Sequence, residues 1–162
     1  LQDALDLAIL IEEEAKERYE EFADQLAEHH TPDAAQFFQT MAGNEAKHGA
    51  DLLMRRQALY GDRPYRVTRA MLWDVEAPEY DQSRMFMSAR QAIDVALASE
   101  VKAHDFFRDA LPHVSDIQVK ALFVELLQEE IEHQALVKKE LAKLAPESEV
   151  TTEDAADEPV AQ

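Results

Sequence analysis

The first 29 residues of the chain contain neither glycine nor proline, and all 162 residues include only three glycines and six prolines. Such stretches favour α-helices, because glycine and proline are the residues that most strongly destabilise a helix interior. Apolar side chains recur there every three or four positions, which places them on one face of a helix. The sequence therefore predicts an all-α protein built from long amphipathic helices.

Capping and helix-breaking residues divide the chain into four predicted helices. In the second, a capping hydroxyl at Thr31 precedes Pro32, and Gly61 follows the last turn. The apolar stripe of this helix is predicted to end with Leu52, Arg55 and Leu59. The predicted bounds are, in chain order, 1–29, 31–60, a start between Asp81 and Ser88 with an end near Pro112, and a start at Ser115-Asp116 with an end before Pro146.

Residues 61–81 interrupt the helical pattern and contain Pro64 and Pro78. A connection of this length is uncommon inside a compact domain, but a helix bundle needs one when two helical hairpins are joined by a crossover. We therefore expect two hairpins with a long crossover between the second and third helices.

The two halves of the sequence resemble each other. Ala4–Ala8 matches Ala92–Ala96 at an offset of 88 residues, which aligns Glu12 with Glu100 and Tyr19 with Phe107. The second helix of each half matches at an offset of 85 residues, and this aligns the pairs Phe38 and Phe123, Glu45 and Glu130, and His48 and His133. The repeat predicts two copies of one hairpin related by a pseudo-twofold axis.

Composition limits the domain organisation and the partners. We predict one domain over residues 1–145 and a disordered acidic tail over residues 146–162, to which no function is assigned. The net charge of −18 argues against nucleic acid and anionic membranes as partners. No apolar run approaches the roughly 20 residues that span a bilayer, and residues 1–30 do not resemble a signal peptide. The absence of cysteine excludes disulfides and thiolate-held metals and is compatible with a cytoplasmic protein.

Two Glu-x-x-His pairs stand in the middle of the second and fourth predicted helices. This spacing alone is a weak signal in a chain with 34 acidic residues. The position of the two pairs strengthens the signal, because both interrupt apolar stripes at equivalent places in the repeat. The other two helices each carry one Glu at the matching level. The predicted metal ligands are Glu12, Glu45, His48, Glu100, Glu130 and His133.

Charge supports this interpretation. Four carboxylates facing one core would repel each other, whereas two divalent cations would neutralise them and two imidazoles would complete the ligand set. Oxygen and nitrogen ligands suit iron or manganese, and zinc could also bind. The alternative is that each Glu is a solvated boundary residue and each His a hydrogen-bonded core residue.

Several neighbouring residues have more than one interpretation. His104 is either an extra ligand or, as we favour, a partly exposed surface residue. Tyr19 could hydrogen-bond a ligand carboxylate, relay an electron or simply pack in the core. Asn44 and Glu129 precede the ligand Glu of their helices and could orient the imidazoles. The remaining histidines stand near helix ends, where capping or solvent contact is expected: His29, His30 and His113.

Over residues 1–145 the chain resembles the rubrerythrin and ferritin-like superfamily. The motifs that carry the resemblance are Glu12-x-x-Ala15-x-x-x-Tyr19, Glu45-Ala46-Lys47-His48, Glu100-x-x-Ala103-x-x-x-Phe107 and Glu130-Ile131-Glu132-His133. The resemblance implies a ferritin-like four-helix bundle with a di-iron site that reacts with dioxygen or peroxide, in a homodimer or larger assembly.

The chain departs from this pattern in three respects. Without cysteine it cannot hold the rubredoxin-type iron centre of rubrerythrins proper, so its electron donor would be external and is unknown. Ala103 stands where rubrerythrins tend to have a further Glu. Ala46 and Lys47 cannot replace the Met with which bacterioferritin binds haem, so no haem is expected.

These observations leave three functions open. The first is a di-iron oxidoreductase of peroxidase or ferroxidase type, and the second is an iron-binding storage or delivery protein without multiple turnovers. The third is a metal-free bundle that serves only as a structural module. The sequence leaves open whether the protein is an enzyme.

Overall fold

The computed structural model describes residues 1–28, 31–72 and 88–144. These residues form four long helices and contain no strand: α1 (Gln2–Glu28), α2 (Pro32–Tyr60), α3 (Ala89–Ala110) and α4 (Ile117–Lys143). α1 packs chiefly on α2 and α3 chiefly on α4, which makes two helical hairpins. The predicted four-helix bundle of two hairpins is thus confirmed. His29, His30, residues 73–81 of the predicted crossover and the predicted tail lie outside the described residues.

Capping interactions explain where two of the helices begin. The Ser88 hydroxyl accepts from the backbone N–H of Gln91, whose side chain accepts from the Ser88 N–H, and the two bonds form a capping box before α3. Asp116 accepts from two backbone N–H groups at the start of α4. The predicted cap at Thr31 is wrong, because its hydroxyl donates instead to the carbonyl of Leu26 at 2.8 Å. α2 begins with Pro32 in its first turn.

The buried stripe of α2 departs from its prediction near the helix end. Arg55 and Leu59 are exposed, whereas Arg56 is buried at 5% exposure. The reason lies on α1, where Asp6 is fully buried and accepts from the Arg56 guanidinium. Arg56 is therefore buried in place of Arg55, because it pairs with a carboxylate inside the bundle.

Two apolar clusters fill the bundle, one towards each end. The first includes Tyr19, Phe22 and Phe38, whose rings contact each other edge-on or tilted. The second includes Phe107 and Phe123, whose ring centroids are 5.2 Å apart. The buried acidic residues Glu12, Glu45, Glu100 and Glu130 belong to neither cluster. No helix within the described ranges combines the length and the apolarity needed to cross a membrane.

Candidate metal centre

Each of the four helices contributes polar side chains to the middle of the bundle. α1 and α3 each present one Glu, and α2 and α4 each present a Glu and a His three residues apart, which lie on one helix face. All six predicted ligands are buried, with exposures of 6% or less: Glu12, Glu45, His48, Glu100, Glu130 and His133. The structure therefore brings all six into the core.

The two imidazoles point the same nitrogen at the carboxylates. His48 Nδ1 lies 3.5 Å from Glu12 Oε2 and 3.6 Å from Glu45 Oε2. His133 Nδ1 lies 3.3 Å from Glu45 Oε1 and 3.3 Å from Glu100 Oε2. The two rings stack, with centroids 5.3 Å apart and an interplanar angle of 11°. Glu45 thus lies between the two histidines.

These side chains form two groups whose potential ligand atoms lie within 4.8 Å of one another. The members of the first are Glu12, Glu45, His48 and Glu130, and those of the second are Glu45, Glu100 and His133. Glu45 belongs to both groups, as a carboxylate that bridges two ions would. Carboxylate oxygens and imidazole nitrogens at this spacing could hold metal ions.

Several atoms of the site are buried without a hydrogen-bond partner. They are both carboxylate oxygens of Glu12 and of Glu130, Oε1 of Glu45, and Nδ1 of His48 and of His133. Leaving a buried polar atom unsatisfied costs about 1–3 kcal/mol, so such a concentration needs an explanation. Metal ions would satisfy all of these atoms at once, and the donor set therefore fits such ions.

The pKa values of the site also indicate that positive charge is missing when no cation is bound. Burial and the charge of Glu45 raise the pKa of Glu12 well above its usual range, and burial and Glu100 raise that of Glu130. Burial also opposes the charged form of Glu45, but contacts with Glu12 and the two histidines outweigh burial and lower its pKa. Without a metal, protons therefore take the place of positive charge in this cluster.

The neighbouring carboxylates raise the pKa values of both histidines. Burial disfavours the charged imidazole of His133, but its contacts with Glu100 and Glu45 outweigh burial and raise its pKa to about 9. The pKa of His48 is raised as well, because its contact with Glu45 outweighs burial. Divalent cations would have to displace these protons when they bind.

Two residues outside the set of six contact it directly. The hydroxyl of Tyr19, which is fully buried, donates to Oε1 of Glu100 from the facing helix. Oε2 of Glu129 contacts Nε2 of His48, so the ring nitrogen that faces away from the carboxylate cluster has a partner, unlike Nδ1. Tyr19 therefore makes the hydrogen bond to a ligand carboxylate that was one of its three interpretations, and Glu129 contacts an imidazole, as a residue that orients the ring would. Asn44, the repeat equivalent of Glu129, is half-buried.

The remaining histidines of the described ranges lie outside the cluster. His104 is partly exposed, its Nδ1 lies 3.1 Å from Oδ1 of Asp105, and it belongs to neither potential metal group. This agrees with the surface interpretation and not with an extra ligand. His113 is exposed in a 3₁₀ turn, Leu111–His113, directly after α3.

Sequence reasoning missed the contacts on the seam between α1 and α3. Arg18 donates to Oγ of Ser99 at 2.8 Å and to Oε1 of Glu14 at 3.2 Å, and Arg18 and Ser99 adjoin Tyr19 and Glu100 in sequence. A groove of about 410 Å³ opens along this seam and reaches Ala15. The only sequence signal of these contacts is that Arg18 lies at the boundary between the polar and apolar faces of α1. This position does not identify the helix that Arg18 contacts.

The fold and the site define a class: four-helix-bundle proteins with a buried cluster of carboxylates and histidines between two hairpins. The family model named Rubrerythrin matches residues 3–84, half of the sequence. The chain belongs to the rubrerythrin family.

Two solved structures are similar to this one. An uncharacterised conserved protein from Magnetospirillum magnetotacticum MS-1 has 28% sequence identity and a TM-score of 0.78, with 91% of this chain and 97% of that chain covered. A bacterioferritin from Rhodobacter capsulatus, whose structure is described as having a metal-free dinuclear site and haem iron, has 18% identity and a TM-score of 0.69, with 88% and 83% covered. At that identity the bacterioferritin supports the fold alone. No curated protein matches the sequence.

Proposed function

We propose that the protein is a non-haem di-iron protein of rubrerythrin type that is redox-active with peroxide or dioxygen. The observation that supports this most strongly is the buried set of four carboxylates and two imidazoles, in which five of the six residues have atoms without a hydrogen-bond partner. Family membership supports iron as the metal. Manganese or zinc could occupy the same oxygen and nitrogen donors.

The six residues have distinct roles in this proposal. Glu12 and His48 would hold one ion together with Glu45 and Glu130, and Glu100 and His133 would hold the other together with Glu45. Bound iron would supply the change between Fe(II) and Fe(III) that reduces peroxide or dioxygen. The Tyr19 hydroxyl fixes one oxygen of Glu100, and the apolar clusters on either side limit the access of water.

The wider setting is part of the same proposal. The chain has no cysteine, so electrons would come from an external donor. We also propose a homodimer in the cytoplasm with neither haem nor nucleic acid as a partner, and a domain that ends near residue 145.

The second candidate is iron storage or delivery by the same site, without multiple turnovers. The observation that favours it is the net charge of −18, which attracts cations to the surface. The two functions differ in the fate of the oxidised iron. An enzyme must be reduced and react again, whereas a storage protein retains the oxidised iron or takes up more.

One experiment separates these functions. The full chain is purified without oxygen and loaded with Fe(II), the iron bound per chain is counted, and the absorbance of oxidised iron is monitored after peroxide or dioxygen is added. Two irons per chain with rapid oxidation and repeated turnover after re-reduction support the enzyme. A single slow oxidation, or uptake far beyond two irons, supports storage.

The matched variants are His133→Ala and His113→Ala. His133 lies in the buried cluster, whereas His113 is exposed beyond α3. We expect His133→Ala to lose bound iron and His113→Ala to bind it as the unaltered protein does. Equal iron binding by both variants would overturn the proposed site.

A further inference from the structure

The internal repeat makes the two halves of the site equivalent, but two neighbouring residues break that equivalence. Tyr19 aligns with Phe107, which has no hydroxyl, and Glu129 aligns with Asn44, which has no charge. The structure places these two departures against different ligands: Glu129 contacts His48, whereas Tyr19 contacts Glu100. Each half of the site therefore has one neighbouring polar group that the other half lacks.

The contact of Glu129 strengthens His48 as a ligand. Oε2 of Glu129 meets Nε2, which leaves Nδ1 facing Glu12 and Glu45 at 3.5 and 3.6 Å. A carboxylate that accepts from the outer ring nitrogen fixes the tautomer and makes the inner nitrogen a stronger donor. Glu129 is one-third exposed, so its charge is supplied at little desolvation cost.

The contact of Tyr19 has the opposite effect on Glu100. The buried hydroxyl donates to Oε1, which draws negative charge from the carboxylate and competes with a metal ion for that oxygen. His133 lies 3.3 Å from the other oxygen, Oε2, so the phenol acts on the half of the site that His133 serves. Phe107 has only an apolar ring at the equivalent position and exerts no such effect on Glu12.

We infer that the two metal positions bind with unequal affinity, and that the one held by Glu12 and His48 is filled before the one held by Glu100 and His133. This inference rests on the proposed two-metal site. Glu129 and Tyr19 act on it as positioning residues, since neither belongs to the six ligands. A tight position beside a more labile one would allow the second ion to exchange while the first stays bound.

The test is a titration of the metal-free full chain with Co(II), monitored by calorimetry and by the visible absorption of bound cobalt. We expect two resolved steps with dissociation constants that differ by tenfold or more. The variants Glu129→Asn and Tyr19→Phe give each half the residue that its repeat equivalent has. Glu132→Gln, on the exposed side of α4, is the control.

The variants assign the steps. Glu129→Asn should weaken the first step by about 10–100-fold, as loss of a group that orients a ligand commonly does, and leave the second unchanged. Tyr19→Phe keeps the packing ring and should tighten the second step by about fivefold, the equivalent of one hydrogen bond. The double variant should bring the two dissociation constants together.

The outcomes distinguish this inference from the proposed function. Two ions bound in one step of equal affinity, or a first step that Glu129→Asn leaves unaltered, would overturn the inference while the two-metal site stands. If Tyr19→Phe weakens the second step, the inferred role of the phenol is wrong. If the unaltered chain binds no cobalt, the proposed function itself fails.

Discussion

The guanidinium of Arg56 in α2 donates to the carboxylate of Asp6 in α1, and the bundle buries both side chains. The same guanidinium donates to the carbonyl of Gly61 at 3.1 Å and stacks 4.1 Å from the ring centre of Tyr65. One side chain therefore joins the two helices of the first hairpin and fixes the path by which the chain leaves α2.

Removing this arginine should destabilise the fold strongly. Arg56→Met leaves the carboxylate of Asp6 buried without its cation, and we expect the free energy of unfolding to fall by about 3 kcal/mol in chemical denaturation. The double variant Asp6→Leu with Arg56→Met should recover much of that loss, because no unpaired charge remains. The control is Arg55→Met, since Arg55 is exposed and its removal should cost less than about 0.5 kcal/mol. Equal losses for Arg55 and Arg56 would contradict the buried pairing.

This ion pair also shows the limit of sequence reasoning. Helical periodicity assigned the end of the α2 stripe to Arg55, but neighbouring positions lie about 100° apart, and near a helix end both fall close to the edge of the apolar face. The choice of Arg56 depends on Asp6, which lies 50 residues away in sequence. A pattern within one helix contains no information about such a partner.

The six predicted ligands all lie in the core, and there is a physical reason why the sequence could indicate their burial. Each is a charged or polar residue at the centre of an otherwise apolar stripe, and a repeated hairpin brings equivalent stripes to the same level of the bundle. Periodicity thus indicated that Glu12 and His48 face the core. It could not indicate that Glu45 lies between both histidines, or that Glu129 meets His48 across the bundle, because these contacts depend on how the helices pack.

Replacing Glu130 by Gln should change stability in opposite directions with and without metal. Burial and Glu100 raise the pKa of Glu130, so the metal-free fold gains when a neutral amide takes the place of the carboxyl. At a pH of about 8 we expect the free energy of unfolding of the metal-free variant to rise by on the order of 1 kcal/mol. With saturating Fe(II) the variant should unfold more easily than the unaltered protein, because it loses stabilisation by bound metal. Glu132→Gln, at an exposed site, should alter neither value, and the same sign in both states would contradict a role in binding.

The metal-free protein should lose stability as the pH rises above neutrality. The pKa of His133 is about 9 in the fold, above the roughly 6.5 of an unfolded histidine. A raised pKa contributes stability that is complete below a pH of about 6.5 and is lost as the pH passes the folded value. The raised pKa values of Glu12 and Glu130 act in the same direction.

In urea denaturation of the metal-free chain, the free energy of unfolding should fall by on the order of 2 kcal/mol when the pH is raised from about 6.5 to about 9. Metal affinity should rise over the same range, since the ions compete with protons for these ligands. His133→Asn should make the fall in stability with pH less steep, whereas His113→Asn should leave it as it is. A stability that rises with pH in the metal-free protein would show that the histidine is not held protonated by the carboxylates.

The three glycines should respond differently to replacement by alanine. Gly43 lies in the exposed middle of α2 with open space around an added Cβ, and a Cβ at Gly49 would meet only Cβ of Glu12 at 3.7 Å, an ordinary contact. Both replacements should stabilise the fold by roughly 0.5–1 kcal/mol, because alanine loses less conformational freedom than glycine in a helix. Gly61 has a φ of 58°, which side chains disfavour, so Gly61→Ala should cost about 1 kcal/mol. Chemical denaturation of the three variants checks the order of their free energies of unfolding. Unaltered iron binding by Gly49→Ala would show that the added Cβ does not move α1 away from α2 beside Glu12.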